Sequence, residues 1–213
     1  MIQKDRDLER YILEHTKPED SLLVELDHVT HLRTVQPRML SGHLQGVVLE
    51  MISKMVKPYR ILEIGTFTGY SAICLAKGLA TGGILHTIEV DDEMVPIAQE
   101  YFDRSEWRNC IKQHVGSALH IVPMLGEEFD LVFIDGDKRE YIEYYNTVLP
   151  FVKTGGFILA DNVLWDGKVL EKDPKDAQTK GIVDFNQYVN CDSAVENVLL
   201  PFRDGLMLLR KLD

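Results

Sequence analysis

Residues 62–72 read Leu-Glu-Ile-Gly-Thr-Phe-Thr-Gly-Tyr-Ser-Ala, and this stretch decides the fold. A short apolar run at 61–64 predicts a strand, and 71–80 has helical spacing. Between them lies a turn at Gly65, where a missing Cβ lets the backbone bend sharply and lets another group come close. A strand running through a glycine turn into a helix is the opening of an α/β unit.

The pattern recurs downstream. Strands are predicted at 85–90, 111–115, 129–135 and 157–161, with helices at 94–102, 141–152 and 182–189. Alternating units of this kind build a parallel sheet with helices on both faces. Two last strands, 195–200 and 206–210, are separated by a short connection containing Asp204 and Gly205 and read as a hairpin that adds one antiparallel strand. The first sixty residues read as helices instead. Leu8, Tyr11 and Ile12 mark one over 5–15, Pro18 begins a second, and Ser41 caps a third that Pro58 ends. A single domain is expected over 1–213, with 1–57 a helical cap on the substrate side and 58–213 the α/β core.

Composition excludes several functions. A net charge of -11 argues against a nucleic-acid partner, which needs a basic face. Cys74, Cys110 and Cys191 are widely spaced, so neither a disulfide framework nor a zinc site is expected. No apolar run approaches the roughly 20 residues that span a bilayer. The amino terminus is charged and lacks the apolar core of a signal peptide. A cytoplasmic protein without a membrane partner is expected.

In such a sheet, ligands bind beyond the carboxyl ends of the strands. Asp135 closes the run FDLVFID, and Asp161 closes GGFILAD with Asn162 directly after it. Three hard oxygen donors in one crevice point to a divalent cation, Mg2+ before Mn2+ or Ca2+. Lys138 follows Asp135 by three residues and is placed to act as a general base. Each feature alone has a plainer reading: Asp135 as a helix cap with a solvated lysine, Asp161-Asn162 as an ordinary turn. The glycine spacing at 65–69 is GxxxG, not the GxGxxG that cradles a pyrophosphate, which favours a nucleoside without phosphates. Glu89, ending the second strand, is placed to accept ribose hydroxyls, or else belongs to the solvated turn with Asp91, Asp92 and Glu93. The histidines are scattered; His28, His31 and His43 read as surface or core residues, and 171–180 as a solvated loop.

Taken in order, LEIGTFTGYSA, TIEVDDE, IDGDKREY, GGFILADNVLWDGKV and LLPFRDGLMLLRK resemble the cation-dependent class I O-methyltransferases of the caffeoyl-CoA and catechol type, over about residues 35–213. The resemblance implies a doubly wound, Rossmann-like sheet of seven mostly parallel strands, S-adenosylmethionine as methyl donor, and a homodimer. By position it implies Asp135, Asp161 and Asn162 as metal ligands and Lys138 as the catalytic lysine. It also implies Glu63, Gly65, Tyr70 and Ser71 around the methionine part of the cofactor, Glu89 on the ribose, Ala118 beside the adenine, and Asp137 as a further cofactor contact. The reaction implied is methyl transfer to a phenolic oxygen whose proton Lys138 accepts.

Two departures stand out. The family often has Ser-Pro-Glu-Gln-Gly-Gln where this chain has Ser41-Gly42-His43-Leu44-Gln45-Gly46-Val47, a segment that faces cofactor and acceptor. Gly136 replaces a more usual alanine. The acceptor wall is expected from the first forty residues and from 169–179. Two rival readings use the same crevice: a nicotinamide-dependent oxidoreductase, and a cofactor-binding regulatory protein without catalysis.

Overall fold

The computed structural model describes residues 2–213, with side chains from Asp7 onward. Three helices, α1 (Ile2–Glu14), α2 (Ser21–Arg33) and α3 (Gly42–Val56), precede β1 (Arg60–Ile64). There follow α4 (Tyr70–Ala76), β2 (Ile84–Glu89), α5 (Val95–Arg104), β3 (Ile111–Val115), α6 (Ala118–Leu125) and β4 (Phe129–Ile134). The chain closes with α7 (Tyr141–Val148), β5 (Val152–Asp161), α8 (Ala177–Cys191), β6 (Val195–Leu200) and β7 (Leu206–Lys211). Among the described residues no helix is long and apolar enough to cross a membrane.

The seven strands form one sheet in the order β3-β2-β1-β4-β5-β7-β6. All neighbours are parallel except β7, which runs antiparallel to both β5 and β6. The fold is therefore the expected doubly wound α/β sheet with its closing hairpin. The chain winds outward from β1 to β3, then returns to the other side of β1 with β4. That reversal opens a crevice beyond the ends of β1 and β4.

The period of two along the strands divides the interior into two cores. Ile61, Leu131, Phe133 and Leu159 face α2 to α5. Their neighbours Leu62, Val132, Ile158 and Ala160 face α6 to α8. Both faces are covered, so β1 and β4 read as nearly unbroken apolar runs.

Local chemistry moved several boundaries. The second helix starts at Ser21 and not at Pro18, because the Asp20 carboxylate accepts from Leu22 N at 2.9 Å and caps it there. Ser41 stands at the amino end of α3, but its side chain makes no capping bond. The eighth helix starts at Ala177, five residues before the expected start and inside the expected loop, because Asp176 accepts from Thr179 N at 2.8 Å. Helix α6 had no expectation at all. Nearly all its residues are apolar and Pro123 lies inside it, so it shows no polar face and carries a breaker.

Gly65 holds the crevice together. It has φ +99, and a Cβ there would lie 2.3 Å from the Asp135 carbonyl oxygen. Gly65→Ala should cost about 1–3 kcal/mol for the strained φ, and about as much again for the forced displacement of β4. Urea unfolding of the variant should show that loss. A midpoint equal to the parent would mean that the two strand ends do not depend on this contact.

Candidate active site

Four carboxylates reach the same rim of the sheet: Glu89 from β2, Glu63 from β1, Asp135 just beyond β4 and Asp161 at the end of β5. Burying a carboxylate requires a partner or a proton, and each of the four meets that demand differently.

Asp135 is paired with Lys138, whose Nζ donates to Oδ1 at 2.7 Å; the two side chains are 18% and 7% exposed. Lys138 also donates to the Tyr141 hydroxyl at 2.7 Å, and that hydroxyl donates to the Asp161 carbonyl at 2.9 Å. Tyr141 thus ties the lysine to the end of the next strand. The turn carrying Lys138 is pressed against α8, because a Cβ at Gly181 would lie 2.3 Å from the Lys138 carbonyl oxygen.

Asp161 is buried and accepts from Gln45 Nε2 at 2.6 Å through Oδ2. Burial, and then the charge of Asp135, push its carboxyl up to about 6. Asn162 adopts φ +58, a left-handed conformation that asparagine tolerates better than most residues. Its carboxamide makes no recorded hydrogen bond among the described residues. Two mutually repelling carboxylates, of which only Asp135 is paired with an ammonium, plus this carboxamide, fit a divalent cation with oxygen ligands. No group of three His, Cys, Asp or Glu side chains that could hold a metal occurs among the described residues, so here the third ligand would be the Asn162 carboxamide.

On β1, Thr87 Oγ1 donates to Glu63 Oε2 at 2.5 Å. The Ser71 hydroxyl is near enough to favour the charged carboxylate, yet Oε1 has no hydrogen-bond partner. Burial pushes this carboxyl up to about 8. An orphaned, fully buried acidic oxygen is a receptor for a cationic donor, and the α-ammonium of a methionine moiety would satisfy it.

Glu89 accepts three backbone N–H groups, from Phe67 at 2.6 Å and from Val90 and Asp91 at 2.9 Å. A carboxylate has about four acceptor sites, so one direction is left for a ribose hydroxyl. These bonds also pin the glycine turn, in which Phe67 and Gly69 have positive φ. Helix α2 lies over that turn, with Thr30 Oγ1 2.9 Å from Thr68 Oγ1. Ala118 is buried at the start of α6, two residues after Gly116, whose N–H donates to the Glu89 carbonyl.

Two expected contacts are placed differently from the rest. The Tyr70 ring packs against Gly46 of α3, and its hydroxyl donates to Glu19. The Asp137 carboxylate accepts from Arg139 N at 3.0 Å and is ion-paired with the Arg139 guanidinium, which holds it below the usual carboxylate range. Three residues of the site had no sequence expectation as site residues. Tyr141 had a signal, its i,i+3 spacing from Lys138. Gln45 had only its place in the segment 41–47, and Arg203, whose guanidinium donates to Gln45 Oε1, had none.

Glu63 generates a pH test. Its carboxyl is near 8 in the folded chain and has an ordinary value of 4.5. Between these values the folded state holds a proton that the unfolded state has lost, so stability falls as pH rises through the window. Glu63→Gln keeps a neutral group and removes that slope. Without cofactor, the variant should gain on the parent in urea midpoint between pH 6 and pH 9; a constant difference would rule out a buried neutral acid.

The family model described as O-methyltransferase matches residues 13–212. A catechol O-methyltransferase of Niastella koreensis is 36% identical over 160 residues, 73% of this chain and 72% of that one. Caffeoyl-CoA O-methyltransferase 5 of Nicotiana tabacum is 28% identical over 100% of this chain and 93% of its own. Among solved structures, an O-methyltransferase from Bacillus cereus in complex with SAH superposes with a TM-score of 0.93 at 28% identity, covering 99% of this chain and 100% of that one.

Proposed function

The chain belongs to the O-methyltransferase family, and from that premise we propose a cation-dependent transfer of methyl from S-adenosylmethionine to a hydroxyl of a catechol-like or caffeoyl-type acceptor. The observation that carries the cation is the pair Asp135 and Asp161, one part-buried and one buried, which repel one another on adjacent strand ends while Lys138 pairs with Asp135. A cation at Asp135, Asp161 and Asn162 would acidify and orient the acceptor hydroxyl.

The chain's own residues supply the rest. Glu63 Oε1 receives the cofactor's ammonium, and the Glu89 carboxylate receives its ribose. Gly65 lets the cofactor approach the backbone, with Ser71 and the Tyr70 backbone at the same turn and Ala118 on the adenine side. Asp137 borders the cofactor while held by Arg139. Lys138 must be the free amine, which a cation on Asp135 would favour, to accept the acceptor's proton at Nζ, and Tyr141 holds that nitrogen in place. Fixing donor and acceptor in line converts an encounter into a unimolecular step. Relatives named for catechol and for caffeoyl-CoA support an acceptor with vicinal oxygens. A homodimer belongs to the same reading and would cover apolar side chains that α1 leaves exposed, Leu8 and Tyr11 among them.

Methylation of a panel of vicinal diphenols and caffeoyl esters, followed by mass spectrometry, tests the proposal. Activity should vanish in EDTA and return with Mg2+, and Asp135→Asn should be inactive at any Mg2+ concentration. Lys138→Met should lose about 10^2- to 10^4-fold in kcat, the usual contribution of a general base. Full activity in EDTA, or in Asp135→Asn, would overturn the cation's role. Turnover by Lys138→Met at the parent rate would overturn the role of the lysine.

A further inference from the structure

Gln45 lies in the segment 41–47, where this chain departs from the family pattern, and it is 2% exposed. Its Nε2 donates to Asp161 Oδ2 at 2.6 Å. Its Oε1 accepts from Arg203 Nη1, which also donates to the Ser41 carbonyl. Arg203 stands on the turn between β6 and β7 with φ +49. A three-part bridge therefore runs from the hairpin turn, through the first turn of α3, to the end of β5.

Chemistry fixes the direction of this bridge. A guanidinium only donates, so the amide oxygen must face Arg203 and the amide N–H group must face the carboxylate. The helix cannot shift to relieve the contact. At the next residue, Gly46, a Cβ would stand 2.7 Å from the Tyr70 ring and 2.8 Å from Cys74 Sγ, so α3 and α4 touch there with no space to spare.

We propose that Gln45 is a positioning residue for the cation ligand Asp161, and that Arg203 sets the orientation of its amide. The proposal rests on the reading that Asp161 binds a cation. The neutral donor on Oδ2 fixes the carboxylate's rotation without taking up its charge, so one oxygen is committed to α3. Partners of this kind behind a ligating group are typically worth about 10- to 100-fold in metal affinity. Because Arg203 acts only through the amide, its effect must disappear when the amide is gone.

The test is Mn2+ titration of the full chain, read by the electron paramagnetic resonance of free Mn2+. Gln45→Met keeps the length and removes the donor; it should weaken Mn2+ binding at least tenfold, while cooperative urea unfolding without metal is kept. Arg203→Met should weaken Mn2+ binding severalfold, and the double variant should bind no worse than Gln45→Met alone. Affinity within twofold of the parent in Gln45→Met would overturn the proposal, as would effects that multiply in the double variant. Should Gln45→Met fail to unfold cooperatively, Arg203→Met on its exposed turn decides alone, and an unchanged Mn2+ affinity there overturns the proposal. A parent chain that binds no Mn2+ removes the cation reading together with this one; a parent that binds, with variants that match it, removes this one only.

Discussion

Glu89, Glu63, Asp135 and Asp161 come from four adjacent parallel strands, β2, β1, β4 and β5, and stand on one rim where water is largely excluded. Desolvation makes each charge expensive and strengthens every repulsion among them. The four solutions differ. Glu89 takes three backbone donors. Glu63 keeps a proton. Asp135 takes an ammonium, and Asp161 takes an amide while burial pushes its carboxyl up to about 6. The rim thus has two incompletely compensated places: the Glu63 oxygen without a partner, and Asp161 beside Asp135. On the proposed function, a cationic cofactor would answer the first and a divalent cation the second.

Much of the remaining structure keeps these groups in position. The missing Cβ of Gly65 lets β1 and β4 close on each other at the point where the winding reverses. Tyr141 connects Lys138 to the backbone of β5, and Gly181 lets α8 press on the lysine's own carbonyl. Helix α2 seals the glycine turn through Thr30. The hairpin, at the far end of the chain, reaches back through Arg203 to Gln45 and so to Asp161. Distant segments converge because no single stretch can surround a carboxylate with both apolar cover and directed donors.

The central strands were legible because a buried parallel strand is a short apolar run between turns, and β1 and β4 are such runs. Boundaries were less legible where a side chain several residues away decides them, as Asp20 and Asp176 do for α2 and α8. Strand β5 starts at Val152, the last residue of the expected helix and well before the expected strand start at 157, because Val152 pairs with Phe129 beyond an irregularity in the ladder. Helix α6 was invisible, since a helix apolar on all sides and broken by proline has no period to detect. At the site, strand-end carboxylates and a lysine three residues on were readable from position alone. Their partners Gln45 and Arg203 were not, because a contact across more than a hundred residues leaves no mark in local spacing.

By itself the sequence determined the α/β class, the order of the strands along the chain and the family, because hydrophobic period and motif order are local properties. It also determined which carboxylates end strands. Only the tertiary structure decided how each is compensated: that Glu63 lacks a partner for one oxygen, that Asp135 is paired with Lys138, and that Asp161 is held by a glutamine from α3. Those outcomes depend on which groups share a low-dielectric space, and that is settled by packing between segments remote in the chain.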